Sequence, residues 1–134
     1  MILVPVTLGA TASCALLNIW LGGRVAAFRR QFQVSVGDGG KEPLVRRMRA
    51  QANFIENAPF VLILIAALEI SGAKRAGLAI IGLIFIAGRV LHAIGMDGGE
   101  QRRFRMFGMM GSSLATLALM LWAILVLLGA LLGR

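Results

Sequence analysis

Four long apolar runs constrain this chain more than any other feature of its sequence. Each run is long enough to form a membrane-spanning α-helix, which needs about 20 mostly apolar residues. Long stretches of these runs carry no charged residue at all, so lipid rather than water is the solvent that suits them. The sequence therefore predicts an all-α integral membrane protein, built as a bundle of four transmembrane helices.

The charged residues lie between the apolar runs. They make up 15% of the 134 residues, against roughly 25% in soluble proteins. The formal net charge of +8 could suggest nucleic acid, but a soluble nucleic-acid binder carries its basic residues on one face of a polar fold. Here they lie where membrane topology requires them. We therefore predict contacts with membrane lipids and no nucleic-acid partner.

The predicted spans cover about residues 2–23, 44–70, 76–96 and 106–132 of one domain, residues 1–134. The first helix is expected to continue to about Gln33, where the glycine-rich segment 37–40 follows as a helix breaker. The second helix is expected to begin near Glu42, and Pro59 is a candidate for a kink within it.

Lys and Arg residues in short loops predict the orientation. The first loop region carries most of them, and the third loop contributes three more. The second loop carries only Lys74 and Arg75, and Arg134 closes the chain. The first and third loops are therefore expected in the cytoplasm, with both termini outside.

Polar side chains form a stripe on the first half of the second helix. Arg49, Asn53 and Glu56 are spaced i, i+4, i+7 and so share one face, and Arg46 lies one turn earlier on a neighbouring line. Such groups are costly when they face lipid. The spacing leaves two interpretations open, which are a polar network that locks the bundle and a ligand site.

The third and fourth helices add further candidates. Arg89 and His92 are spaced i, i+3, and Arg89 needs an anion, either Glu56 or a bound carboxylate. His92 has no partners at metal-ligand spacing, so no metal site is predicted. Arg105 lies where the fourth helix enters the membrane. Together these groups would form a basic pocket with one acid, which suits a small ligand that has several anionic groups and an amine.

Residues 49–59 read R-A-Q-A-N-F-I-E-N-A-P. This stretch resembles the R-A-Q-x-N-x-x-E-x-x-P signature of the MAPEG family, the membrane-associated proteins in eicosanoid and glutathione metabolism. Residues 89–92, R-V-L-H, and 29–32, R-R-Q-F, are similar to stretches of the third and first helices of family members. The glycine-rich segment 37–40 looks like the bacterial branch, and the resemblance covers the whole chain.

The resemblance implies a homotrimer in a bacterial inner membrane, with a glutathione site between subunits at the cytoplasmic side. Glutathione would be a co-substrate, and the second substrate would be a lipophilic electrophile or hydroperoxide from the bilayer. Arg105 would be the catalytic residue, because a fixed cation stabilises the thiolate. Carried over by position, the other residues implied to bind glutathione are Arg29, Arg49, Gln51, Asn53, Glu56 and His92, with Arg46 and Arg89 supporting them.

The chain departs from the family in having no tyrosine. Family enzymes place tyrosines in contact with glutathione, and Met96 and Asn57 occupy roughly those positions here. A second function therefore stays open, a non-catalytic lipid-binding or scaffold membrane protein of the same fold. A transporter or channel is disfavoured, because the charges cluster at one face rather than near the midplane.

Overall fold

The structure is a computed structural model that describes residues 3–98 and 102–133. Within these residues the chain forms four α-helices, α1 (Pro5–Phe32), α2 (Glu42–Ile70), α3 (Arg75–Gly95) and α4 (Arg102–Leu132). All four are long and apolar enough to cross a membrane. The predicted all-α, four-helix architecture is confirmed. Ile2, where the first predicted span begins, and Arg134 lie outside the described residues.

Many apolar side chains lie exposed on the outside of the bundle. Only 11% of the residues in the most apolar window of α4 are buried. Leu16, Ile19 and Leu125 are 69%, 71% and 67% exposed. A protein dissolved in water rarely exposes continuous apolar surface on this scale, whereas lipid solvates it without cost. The bundle is therefore that of an integral membrane protein.

Each helix contributes one buried stripe to a common core. Leu21 of α1, Ile65 of α2, Phe85 of α3 and Leu119 of α4 are almost completely buried in one apolar cluster. The most extensive contacts join α3 to α4 and α1 to α2. Consecutive helices run in opposite directions, so the first and third loops lie at one end of the bundle and the second loop at the other. We call the first of these the loop 1/3 end.

The first loop begins and ends where the sequence predicts. Gln33 adopts a left-handed conformation, with φ of 54°, and closes α1. Gly37, Gly39 and Gly40 also have positive φ, which glycine adopts without steric cost. α2 then continues through Pro59 to Ile70. α4 begins at Arg102, four residues before its predicted span, because a count of apolar residues does not detect a basic helical turn that precedes the hydrocarbon region.

A buried carboxylate caps the first turn of α1 from another helix. Val4, at the N-cap position, makes no side-chain hydrogen bond there. Instead, the Glu69 carboxylate accepts hydrogen bonds from the backbone N–H of Val6 at 3.1 Å, from that of Thr7 at 2.8 Å, and from the Thr7 hydroxyl at 2.8 Å. Its side chain is 1% exposed, and Arg75 lies 3.5 Å away. Glu69 thereby satisfies donors that a helix start leaves unpaired and places a negative charge at the positive end of the α1 dipole.

We expect Glu69→Ala to lower the free energy of unfolding in detergent by about 2–4 kcal/mol, because three donors lose a charged acceptor. The matched control is Glu42→Ala on the same helix, whose carboxylate pairs with Arg46 in a solvent-exposed i, i+4 contact. This control should cost less than about 1 kcal/mol. Equal losses in the two variants, measured by denaturant titration, would contradict the capping role.

Candidate functional site

The polar stripe of α2 faces a pocket of about 460 Å³ that α3 and α4 complete. The i, i+4, i+7 spacing of the stripe turns its side chains to one side of α2. Residues of α3 and α4 complete the lining on that side. Five of the nine predicted site residues lie together there, and Met96 and Met109 add apolar walls. The five are Arg49, Asn53, Glu56, His92 and Arg105. We call this cavity the polar pocket.

The polar pocket is open on its outer side. The side chains of Arg49, Glu56 and Arg105 are exposed, whereas His92 is only 6% exposed. Ionisable groups at a membrane helix surface are costly when acyl chains surround them. The open side must therefore meet water or protein rather than hydrocarbon.

Arg89 lies directly behind the pocket wall. It is 4% exposed, its Nη1 donates a hydrogen bond to the Asn53 side-chain oxygen, and its guanidinium lies 5.1 Å from the centre of the Phe85 ring. Its Nε has no hydrogen-bond partner, and it forms no ion pair with a carboxylate of the described residues. Glu56, one of the two anions predicted as a partner of Arg89, therefore forms no ion pair with it. Asn53 holds the buried cation close behind the pocket.

A close crossing of α3 and α4 sets Arg105 beside His92. The His92 ring Nδ1 lies 3.4 Å from the carbonyl oxygen of Arg105. A Cβ at Gly95 would overlap the backbone of Arg105, and one at Gly108 would overlap the backbones of His92 and Gly88. Glycines thus allow the two backbones to touch, as small residues do between membrane helices. The glycines of the last two apolar runs are the sequence signal for this close helix crossing, but sequence reasoning missed it.

Asp97 ties three helices together at the loop 1/3 end. Its carboxylate accepts hydrogen bonds from Arg24 of α1 at 2.5 and 2.6 Å, and it pairs with Arg47 of α2 at 3.1 Å. Arg24 also donates to the carbonyl oxygen of Ala93 at 3.1 Å, and the Arg47 guanidinium lies 3.9 Å from the centre of the Phe28 ring. This clamp fixes the end of α3 that carries His92, and sequence reasoning did not identify it.

Besides Arg89, three further predicted site residues lie outside the polar pocket. Arg29 donates to the carbonyl oxygen of Ser35 at 3.0 Å and lines a separate cavity of about 390 Å³. The Gln51 amide lies against Gly22 of α1. Arg46 pairs with Glu42 at 3.0 Å, outside the pocket lining. Within one chain, Arg29 and Gln51 therefore do not share a site with Arg105.

The ligand chemistry of the polar pocket is that of cations, one carboxylate and neutral hydrogen-bonding groups. Over residues 3–98 and 102–133, no three His, Cys, Asp or Glu side chains cluster as metal ligands would. Two guanidinium groups can hold two anionic groups, and Glu56 can hold an ammonium group. Such an arrangement fits a small zwitterion with more negative than positive charge.

Comparisons with known proteins agree with this architecture. The sequence matches the family model described as the MAPEG family over residues 7–125, a range that includes every residue of the polar pocket. It is 32% identical over 107 residues to the inner membrane protein YecN of Escherichia coli strain K12, covering 80% of this chain and 81% of YecN. The YecN of strain O6:H1 aligns equally well. The family predicted from the sequence is confirmed, and the chain belongs to the MAPEG family.

Proposed function

We propose that this protein is a glutathione-dependent enzyme of transferase or peroxidase type, acting on lipophilic substrates in a bacterial inner membrane. The observation that carries the proposal is the convergence of Arg49, Glu56, His92 and Arg105, from three helices, on one pocket. The basic loops lie together at the loop 1/3 end, which supports a cytoplasmic position for that end and for the pocket. Both termini then lie outside.

Glutathione fits the charges of this pocket. It carries two carboxylates, one ammonium group and one thiol. Arg49 can hold a carboxylate, Glu56 the ammonium group, and His92 can donate or accept a hydrogen bond. Arg105 can then lie beside the sulfur, where a fixed cation stabilises the thiolate that attacks the substrate. In conjugation the sulfur forms a bond to an electrophilic carbon, and the leaving group departs with the electron pair of the broken bond.

A homotrimer is part of this proposal. The polar pocket is open on the outer side of one protomer, where its exposed ionisable groups need cover. Arg29 and Gln51 lie on other faces of the same chain, so they reach the same ligand only if a second copy supplies them. Three copies, as the resemblance to the family implies, would close each pocket with a neighbour.

The alternative is a non-catalytic lipid-binding or scaffold protein of the same fold. Its support is the pocket wall, where the thioethers of Met96 and Met109 provide no hydroxyl donor. Flexible methionine side chains also adapt to varied apolar ligands. The two functions differ in turnover, so one assay separates them.

The test is a thermal-shift titration of the detergent-solubilised protein with glutathione and with S-methylglutathione, followed by turnover with a general aromatic electrophile. We expect both ligands to raise the unfolding temperature and only glutathione to be consumed. Glu56→Gln should abolish most of the shift, and Glu42→Gln on the same helix should retain it. Stabilisation without turnover would favour the lipid-binding alternative, and no stabilisation by either ligand would refute the glutathione site.

A further inference from the structure

A second cavity, of about 740 Å³, adjoins the polar pocket at the loop 1/3 end. It lies where α2 and α4 begin and α3 ends, and it shares three lining residues with the polar pocket. We call it the basic vestibule. Its lining includes Glu42, Arg46, Arg49, Met96, Arg102 and Arg105.

The charges of the basic vestibule are unbalanced. Among the residues that the structure describes, four guanidinium groups and one carboxylate line it, and that carboxylate, of Glu42, already pairs with Arg46 at 3.0 Å. Arg49, Arg102 and Arg105 form no ion pair with any carboxylate of the described residues. Arg102 and Arg105 also lie in the first turn of α4, the positive end of that helix dipole. The cavity therefore attracts an anion.

The geometry points to a phosphate group, and we propose that the basic vestibule binds one. Guanidinium groups pair with phosphate oxygens through two parallel hydrogen bonds, and several of them around one cavity match the several oxygens of phosphate. The cavity volume is in the range of small-molecule sites. The phosphate group belongs either to the headgroup of an anionic phospholipid or to a small soluble phosphate.

The surface beside the vestibule suits the lipid source. Immediately along α4, Phe104, Met106 and Phe107 are 44%, 52% and 56% exposed. These apolar side chains would contact acyl chains while Arg102 and Arg105 hold the headgroup, the usual arrangement of basic residues at a membrane face.

The vestibule is coupled to the polar pocket through the residues that they share. Arg49 and Arg105 line both cavities, so a phosphate group that engages them withdraws them from glutathione. This consequence rests on the proposed function, whereas phosphate binding itself does not. The coupling must be reciprocal, so that glutathione weakens phosphate binding by the same factor.

The experiment measures thermal shifts of the delipidated protein at constant ionic strength. One arm adds inorganic phosphate in exchange for chloride, and the other adds phosphatidylglycerol in exchange for phosphatidylcholine in mixed micelles. The test variant is Arg46→Gln/Arg102→Gln, which spares the two shared arginines. Its control is Arg30→Gln/Lys74→Gln, which removes the same charge from exposed positions that line neither the vestibule nor the surface beside it. We expect roughly tenfold weaker binding in the test variant, from the loss of charged hydrogen bonds, and no change in the control.

The outcomes separate the two sources and the two proposals. Stabilisation by inorganic phosphate identifies a soluble phosphate, and stabilisation by phosphatidylglycerol alone identifies a headgroup. The vestibule proposal would be overturned if phosphate had the same effect as chloride and phosphatidylglycerol the same effect as phosphatidylcholine. It would also be overturned if both double variants weakened binding equally. If the test variant does not fold, Arg102→Gln alone replaces it, with Arg30→Gln as control. A wild-type protein stabilised by phosphate but not by glutathione would refute the glutathione site and leave the vestibule standing.

Discussion

Replacing Arg105 with alanine is expected to lower kcat with glutathione by roughly 100- to 1,000-fold, the usual effect of removing one group that stabilises a developing anion. Binding of glutathione should weaken much less, because Arg49 and Glu56 remain in the pocket. The measurements are kcat with a saturating electrophile, the Kd of glutathione, and the ultraviolet absorbance of bound thiolate. Loss of thiolate absorbance with glutathione still bound would show that Arg105 acts on the sulfur.

The control for this experiment is Arg103→Ala. Arg103 is exposed, lies two positions earlier on α4 and does not line the polar pocket. The Arg103→Ala substitution removes the same charge from the same helical turn, so it measures any general effect of net charge on activity. Similar rates for the two variants would show that Arg105 has no specific part in the chemistry.

Replacing Gly108 with valine is expected to cost about 3 kcal/mol or more of stability, at the upper end of what overpacking costs. A Cβ there would overlap the backbone nitrogen of His92 and the carbonyl oxygen of Gly88. Backbone atoms cannot rotate away as a flexible side chain can, so α3 and α4 must separate. The midpoint of unfolding in a denaturing detergent titration measures the loss.

Gly111→Val supplies the matched control, because a Cβ at Gly111 on the same helix meets nothing within 4 Å. It should unfold close to the wild-type midpoint. The Gly108 variant should also lose glutathione turnover, because separating the helices moves Arg105 away from His92. A Gly108 variant as stable as the Gly111 variant would show that the crossing is not tightly packed.

The sequence by itself determined the number of helices and which residues share a helix face. The length of each apolar run is set by bilayer thickness, so four spans could be predicted without tertiary information. The 3.6-residue period then placed Arg49, Asn53 and Glu56 on one stripe, and the structure shows all three lining one pocket. Both properties are local, since they depend only on residues close together in the chain.

Only the tertiary structure decided which faces meet. It joined Glu69 to Thr7, and Arg89 to Asn53, pairs separated by 62 and 36 residues along the chain. It also placed Arg29 and Gln51 outside the pocket that Arg105 lines. These outcomes depend on how close two helices approach and at what rotation, which the small residues at each crossing set jointly. The sequence of a single helix does not specify which helix packs against it, so the site forms only when the bundle packs.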